Sequence, residues 1–299
     1  MDLSKKINQI ITLCILGLIW GSSFIIMKKG LSTYSPIEIT LYRIFIVFIV
    51  FFPLGIRSFF KIPKKIAFIL LVSALIGSVI PYFLFIKAQT KIDSSLNGIL
   101  NSITPLFTLL FGVVLFKQKT NLRAVIGVVI GLVGATGLIF LSKEGGVWSN
   151  SYLYAILPVL GSACYALNIN IIKTYLQNIP ALKITSWSFI FIGPIAGLVL
   201  FFKTDFTDHL IYDDPNYFNF ICINILGVLG SGFAFWVFNL LIKETSSVFA
   251  SSVTYLIPIV AIFWGIIDGE IFGLFQGILC VVIFCGIYLI KSKPLKLSK

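Results

Sequence analysis

The side chains in this sequence that could do chemistry are hydrogen-bonding ones, and they fall in stripes. Ser94, Asn97, Asn101, Thr104 and Thr108 lie three or four residues apart in an otherwise apolar stretch, which puts them on one face of a helix. Ser247, Ser251 and Thr254 form a second stripe, with Ser252 and Tyr255 beside them. Amides and hydroxyls at this spacing can hold a polar solute. The same stripes also have a structural reading, because hydrogen bonds between apolar helices contribute about 0.6 kcal/mol each. No Ser–Lys dyad, paired acids, histidine or metal-ligand set lies deep in an apolar segment, so an intramembrane enzyme is a remote alternative. No metal or cofactor is expected. A phosphate loop of the GxxxxGK[ST] type is absent, which argues against direct ATP hydrolysis.

The elements that must position these residues are apolar. Hydrophobic residues make up 58% of the 299 positions and charged residues 11%, with a mean hydropathy of +1.04. Lipid is the natural solvent for such a chain, and a helix needs roughly 20 apolar residues to cross it. Ten segments qualify: Ile7–Met27, Ile37–Ile56, Ile66–Ile86, Leu96–Phe116, Leu122–Leu141, Tyr152–Ile172, Ile184–Phe202, Phe218–Ile242, Val248–Ile267 and Ile271–Ile290. They are long and apolar all round, which favours helices over the alternating strands of a β-barrel. The first lacks a small-residue cleavage site and reads as a retained helix. The five cysteines fall within these spans without metal-ligand spacing and read as small core residues.

The second five spans repeat the first. Gly77, Ser78, Phe85, Ser94, Pro105 and Gly112 recur 153 positions later as Gly230, Ser231, Phe238, Ser247, Pro258 and Gly265. The units are 1–146 and 147–299. Five is an odd number, so the two copies must enter the membrane from opposite sides, the inverted-repeat plan of many secondary transporters. Charge agrees. With the N-terminus in the cytoplasm, 16 Lys and Arg fall on the cytoplasmic side and 6 on the other, with Arg43 inside a span. The positive-inside bias puts both termini in the cytoplasm. That distribution, and not nucleic acid, accounts for the formal charge of +12. The basic tail from Lys291 to Lys299 should lie near anionic headgroups. The longest connection, Lys203–Tyr217, is acidic and should face outside, with room for a short interfacial helix.

A polar group within a bilayer needs a partner, so each one is a candidate. Beyond the stripes, the candidate lining residues are Trp20 and Ser23, Ser78 and Tyr82, Tyr165 and Asn168, and Ser231, Trp236 and Asn239. Trp and Tyr add a flat apolar surface with one hydrogen-bonding group, which suits an amphipathic metabolite. Membrane packing is the competing explanation for each. Arg43 is costly in a span unless partnered; it could hold a neighbouring helix or attract a carboxylate, and the structural role is favoured. Pro105 and Pro258 each remove a backbone donor and predict a paired kink, either a rocking hinge or a static bend. Gly127, Gly131, Gly134 and Gly137 predict close helix packing. The acids Glu38, Asp93, Glu144, Glu244, Asp268 and Glu270 sit at span ends, and His209 lies in a loop. This favours facilitated diffusion or exchange, with a proton-coupled mechanism left open.

Ile19-Trp20-Gly21-Ser22-Ser23-Phe24 followed by Lys28, Pro36 followed by Arg43, Pro105-Leu106-Phe107 and the glycine-rich stretch from Gly127 to Gly137 together resemble an EamA repeat. The whole chain is similar to EamA-type members of the drug/metabolite transporter superfamily. The resemblance implies a ten-helix basket, lined by the first, third, fourth, sixth, eighth and ninth spans, with the fifth and tenth peripheral. It also implies transport of amino acids or other small metabolites. The chain departs from the pattern where Trp187 stands in the second half for Arg43. The acid after the fourth span is present only as Glu270, against Lys117-Gln118-Lys119 in the first half. No coupling role is therefore assigned to Glu270. The expected function is a secondary transporter of small metabolites, amino acids or related compounds, acting as exporter, exchanger or facilitator in a bacterial-type inner membrane. A lipid or lipid-linked carrier flippase is the nearer alternative. The expected partners are a small-molecule substrate and the bilayer, with no nucleic acid, and a monomer suffices.

Overall fold

A computed structural model describes residues 3, 5–118, 122–141, 151–211 and 217–291, and every regular element among them is helical. In lipid, a helix satisfies its own backbone groups, so these apolar runs have no cheaper conformation. The helices are α1 (Lys6–Gly30), α2 (Pro36–Phe59), α3 (Lys64–Ala88), α4 (Ser94–Val114), α5 (Leu122–Leu141), α6 (Ser151–Tyr175), α7 (Ala181–Lys203), the short α8 (Phe206–Ile211), α9 (Tyr217–Glu244), α10 (Ser247–Ile267) and α11 (Leu274–Lys291). Eight of them are long and apolar enough to cross a membrane. The other apolar stretches, Val125–Gly134 in α5 and Leu274–Gly286 in α11, are shorter. The tail beyond Lys291, Glu144, Asp213 and Asp214 lie outside the described residues.

Local sequence sets several helix ends. Ser35 and Glu38 form a capping box at the start of α2. The Glu38 N–H donates to Ser35 Oγ at 3.3 Å, and the Ser35 N–H donates to Glu38 Oε2 at 2.7 Å. Pro36 follows at the first helical position. Helix α8 occupies the acidic connection, where Phe206 is buried against Tyr34, Tyr42 and Phe201.

Four of the described helices are irregular, and all four contribute to the cavity. Helix α4 breaks at Ser102 and Ile103, just before Pro105. Proline has no N–H to reach back to the Asn101 carbonyl, and the Thr104 hydroxyl donates to that oxygen instead at 2.8 Å. Helix α10 tightens to a 3₁₀ turn over Ser252–Tyr255, just before Pro258. Helices α3 and α9 widen to π-helical turns over Leu75–Val79 and Leu226–Phe233. Each wide turn contains a Gly-Ser pair, Gly77-Ser78 and Gly230-Ser231. Such turns concentrate at functional sites.

The most extensive helix packings are α2 on α7 and α5 on α11. The second rests on small residues. A Cβ added to Gly286 would lie 2.5 Å from the Gly127 carbonyl oxygen and 2.6 Å from the Gly131 nitrogen. The backbones therefore touch, as close glycine-mediated crossings require. Gly286→Ala must force α5 and α11 apart. Its expected cost is at least the roughly 1–3 kcal/mol of an overpacked core, read as an earlier thermal unfolding midpoint in detergent, whereas Gly277→Ala, where the nearest neighbour is 3.7 Å away, should be close to neutral.

Candidate functional site

The irregular turns converge on one cavity of about 90 Å³. Helix α1 contributes Trp20, Ser23, Phe24 and Met27; α2 gives Arg43; α3 gives Gly77, Tyr82 and Phe85. Asn101 and Thr104 enter from the break in α4, and Val253 and Thr254 from the tight turn in α10. Helix α6 supplies Tyr165, Asn168 and Ile169, and α9 supplies Phe235 and Phe238. The wall is aromatic and apolar, with a few convergent polar groups, the usual make-up of a small-molecule site.

The polar groups are held from behind. The Trp20 indole N–H donates to the Gly230 carbonyl at 2.8 Å, a carbonyl presented by the wide turn of α9. Its ring meets Phe238 edge-on at 5.0 Å. Tyr165 stacks on Phe85 at 5.7 Å. Asn168 Oδ1 accepts from the Ser73 hydroxyl at 2.6 Å, and its amide nitrogen lies where Gly77 leaves room. Asn101 Oδ1 accepts from Thr104 Oγ1 at 3.3 Å. Arg43 Nε donates to Ser231 Oγ at 2.9 Å, and the guanidinium carbon lies 3.9 Å from the centre of the Tyr82 ring.

Of the residues the sequence nominates, Trp20, Ser23, Tyr82, Asn101, Thr104, Tyr165, Asn168 and Thr254 meet at this cavity. The others do not line it. Ser78 is buried in the wide turn of α3, and its hydroxyl has no partner among the described residues. Asn97 turns toward α3, donating to the Phe85 carbonyl at 2.8 Å and to Gln89 Oε1 at 3.1 Å. Ser231 stands behind the wall, holding Arg43. Asn239 donates to Thr185 Oγ1 at 3.1 Å, tying α9 to α7. Ser251 donates to the Val248 carbonyl at 3.0 Å. Tyr255 belongs to a neighbouring apolar cluster around Leu100 and Ile103. Trp236 lies on the other side of α9, in an apolar groove with Val50, Leu54 and Leu182. Phe235 and Phe238 were not nominated, and Arg43, flagged by the cost of a charge in a span, was given a structural role in preference to a ligand one.

One end of the bundle is closed by charge. Glu270, with 3% of its side chain exposed, sits at the join of α10 and α11. Its Oε1 accepts from Lys28 Nζ at 2.8 Å, from the Ser94 N–H at 3.0 Å and from the Ser94 hydroxyl at 2.6 Å. Its Oε2 accepts from the Ser95 N–H at 3.0 Å. The carboxylate thus caps the N-terminus of α4, where the helix dipole favours an anion. Gly265 leaves space for it: a Cβ there would be 2.6 Å from Oε2. Asp268 binds Lys28 at 2.8 Å and Lys29 at 2.5 Å. Burial raises the Glu270 pKa, but Lys28, Ser94 and Ser95 outweigh it and bring the group down to about 2. Asp268 is also held below the usual range by hydrogen bonds from Lys28 and Lys29. At the other end, Gln118 takes the corresponding place over Gly112 and donates to Asn170 Oδ1 at 3.2 Å. There, Lys173 and Gln177 donate to the Lys243 carbonyl at the end of α9, at 3.0 and 2.9 Å.

A helical bundle with an aromatic cavity at the breaks of its helices defines a class of polytopic membrane protein, and the sequence places the chain within it. The model of the EamA-like transporter family matches twice, over residues 8–140 and 152–292, and the chain belongs to that family. It is 25% identical to the uncharacterized inner membrane transporter YedA of Escherichia coli strain K12, over 93% of this chain and 91% of that protein. The Transmembrane protein 234 homolog of Dictyostelium discoideum is 31% identical over 43% of this chain but 91% of its own length. A solved crystal structure shares the fold with a TM-score of 0.68 at 15% identity, covering 96% of this chain and 97% of the other.

Proposed function

We propose that this chain is a secondary transporter of small metabolites, amino acids or related compounds, in which two inverted five-helix repeats rock about the central cavity. The observation that carries this reading is the placement of Asn101, Thr104 and Thr254 in the two broken helices, α4 and α10, facing one aromatic pocket. Discontinuous helices at a repeat interface are where such proteins bind solute. The packing supports the repeat. Helix α1 packs on α10 as α6 packs on α4, and the wide turns and breaks of the first half recur in the second. On this plan α5 and α11 complete ten spans. The kinks at Pro105 and Pro258 serve as hinges, and both termini are cytoplasmic in an inner membrane.

The Glu270 end then faces outside, and the ion pairs close the outer mouth. A topology reporter inserted in the Lys203–Tyr217 connection should read as outside; a cytoplasmic signal would reverse the orientation. The apolar groove lined by Trp236, Val50 and Leu182 is what a lipid or lipid-linked carrier flippase would use, and it shares no lining residue with the cavity. Counterflow into proteoliposomes decides between the two. Saturable exchange of a labelled amino-acid panel, lost in Asn101→Leu, supports metabolite transport. Lipid-dependent protection with no exchange supports the flippase.

A further inference from the structure

Arg43 is 6% exposed, and its guanidinium faces the cavity. Its partners are neutral: Ser231 at Nε and the Tyr82 ring beneath its plane. Ser231 is fixed in turn, donating to the Leu226 carbonyl at 3.1 Å. No ion pair among the described residues includes Arg43; the pairs use Lys28, Lys29 and His209. Glu38, the acid nearest in sequence, is occupied by the capping box of α2 and lies 3.4 Å from His209. Among the described residues, the lining contains no Asp, Glu, Lys or His, and Arg43 is its single charge.

A buried guanidinium without a counter-ion is expensive, and within a membrane such a group marks a ligand or ion path. Its fork matches a carboxylate in two parallel hydrogen bonds. An ammonium group in the same pocket would meet a like charge and find no acid among the described lining residues. The aromatic walls from Trp20, Phe85, Tyr165, Phe235 and Phe238 suit an apolar body.

We infer that the cavity selects a net anionic solute, a small monocarboxylate with an apolar or aromatic body, whose carboxylate pairs with Arg43. The inference rests on reading the cavity as the transport site. It narrows that reading, because a free amino acid would bind with its ammonium group uncompensated.

The test is equilibrium dialysis of the purified full-length chain in detergent, against protein-free micelles, with three labelled probes that share a skeleton. These are 3-phenylpropionate (anion), phenylalanine (zwitterion) and phenethylamine (cation). The expected order is 3-phenylpropionate at least tenfold tighter than phenylalanine, with no saturable binding of phenethylamine. Arg43→Gln should remove the preference for the anion, and Arg43→Lys should keep the order with weaker affinity. If the Arg43 variants fail to fold, the wild-type order still decides, and Ser231→Ala, which frees the guanidinium but leaves its charge, should keep it. Equal or tighter binding of phenylalanine or phenethylamine overturns the inference while leaving a small-molecule site in place. Absence of saturable 3-phenylpropionate binding also overturns it, and counterflow with the amino-acid panel then shows separately whether the transporter reading stands.

Discussion

Replacing Glu270 with leucine is expected to destabilise the protein by about 3 kcal/mol, the lower end for breaking a buried ion pair, because Lys28 keeps about a third of its surface in solvent. The carboxylate joins the ends of α1, α4 and α10 through four contacts. Its loss leaves Lys28 with Asp268 as its remaining partner and leaves two helix-terminal N–H groups without an acceptor. Thermal unfolding in detergent should show the drop for Glu270→Leu and a smaller one for Glu270→Gln, whose amide can still accept from Ser94 but turns a donor toward Ser95. Lys28→Met combined with Glu270→Leu should cost less than the two changes added. Strict additivity would show that the pair is not coupled. The pH dependence follows from the direction of the shift. The group falls from an ordinary 4.5 to about 2 in the folded protein, so its stabilisation is complete above about pH 4.5 and is lost as pH falls through 2. Between pH 5 and 8 the closure should not titrate through Glu270, and unfolding midpoints of wild type and Glu270→Gln should run parallel across that range.

Asn101→Leu is expected to cut counterflow by about tenfold to hundredfold while the protein reaches the membrane at near wild-type level. The side chain is buried at the break in α4, and its backbone carbonyl is already satisfied by Thr104. Leucine keeps the branched shape, with a larger volume, but cannot hydrogen-bond. A polar group of the solute would then be desolvated without a partner, at about 1–3 kcal/mol, and each 1.4 kcal/mol is tenfold. Parallel loss of protein level and transport would mark Asn101 as a packing residue, since its Oδ1 also lies 3.5 Å from the Ser162 hydroxyl.

Eight of the ten expected spans were legible because hydropathy is a property of long windows. The breaks at Pro105 and Pro258 were legible because proline's missing N–H acts locally. Reading side-chain direction along those helices was harder. The stripe from Asn97 to Asn101 assumes a constant turn between helix and neighbour, and Asn97 instead answers the Phe85 carbonyl and Gln89. Ser78 and Ser231 were nominated as polar groups within apolar spans, yet both sit in π-helical turns and neither lines the cavity. Nothing in Leu75–Val79 announces such a turn beyond a glycine beside a serine. Arg43 was visible as a cost, but whether a protein group or a solute meets that cost depends on which acids the fold brings near, and Glu38 is drawn to Ser35 and His209.

The wide turns in α3 and α9 also set the angular phase of everything that follows them. An α-helix advances about 100° per residue, and a π-helical turn absorbs one extra residue without a loop. Tyr82 and Phe85 come after the turn at Leu75–Val79, and Phe235 and Phe238 come after the turn at Leu226–Phe233. Removing a single residue from either turn would leave the helix intact yet swing those rings about 100° toward a neighbour or the lipid. The aromatic wall thus depends on a count of residues as much as on their kind, and each half of the chain has such a turn ahead of its rings.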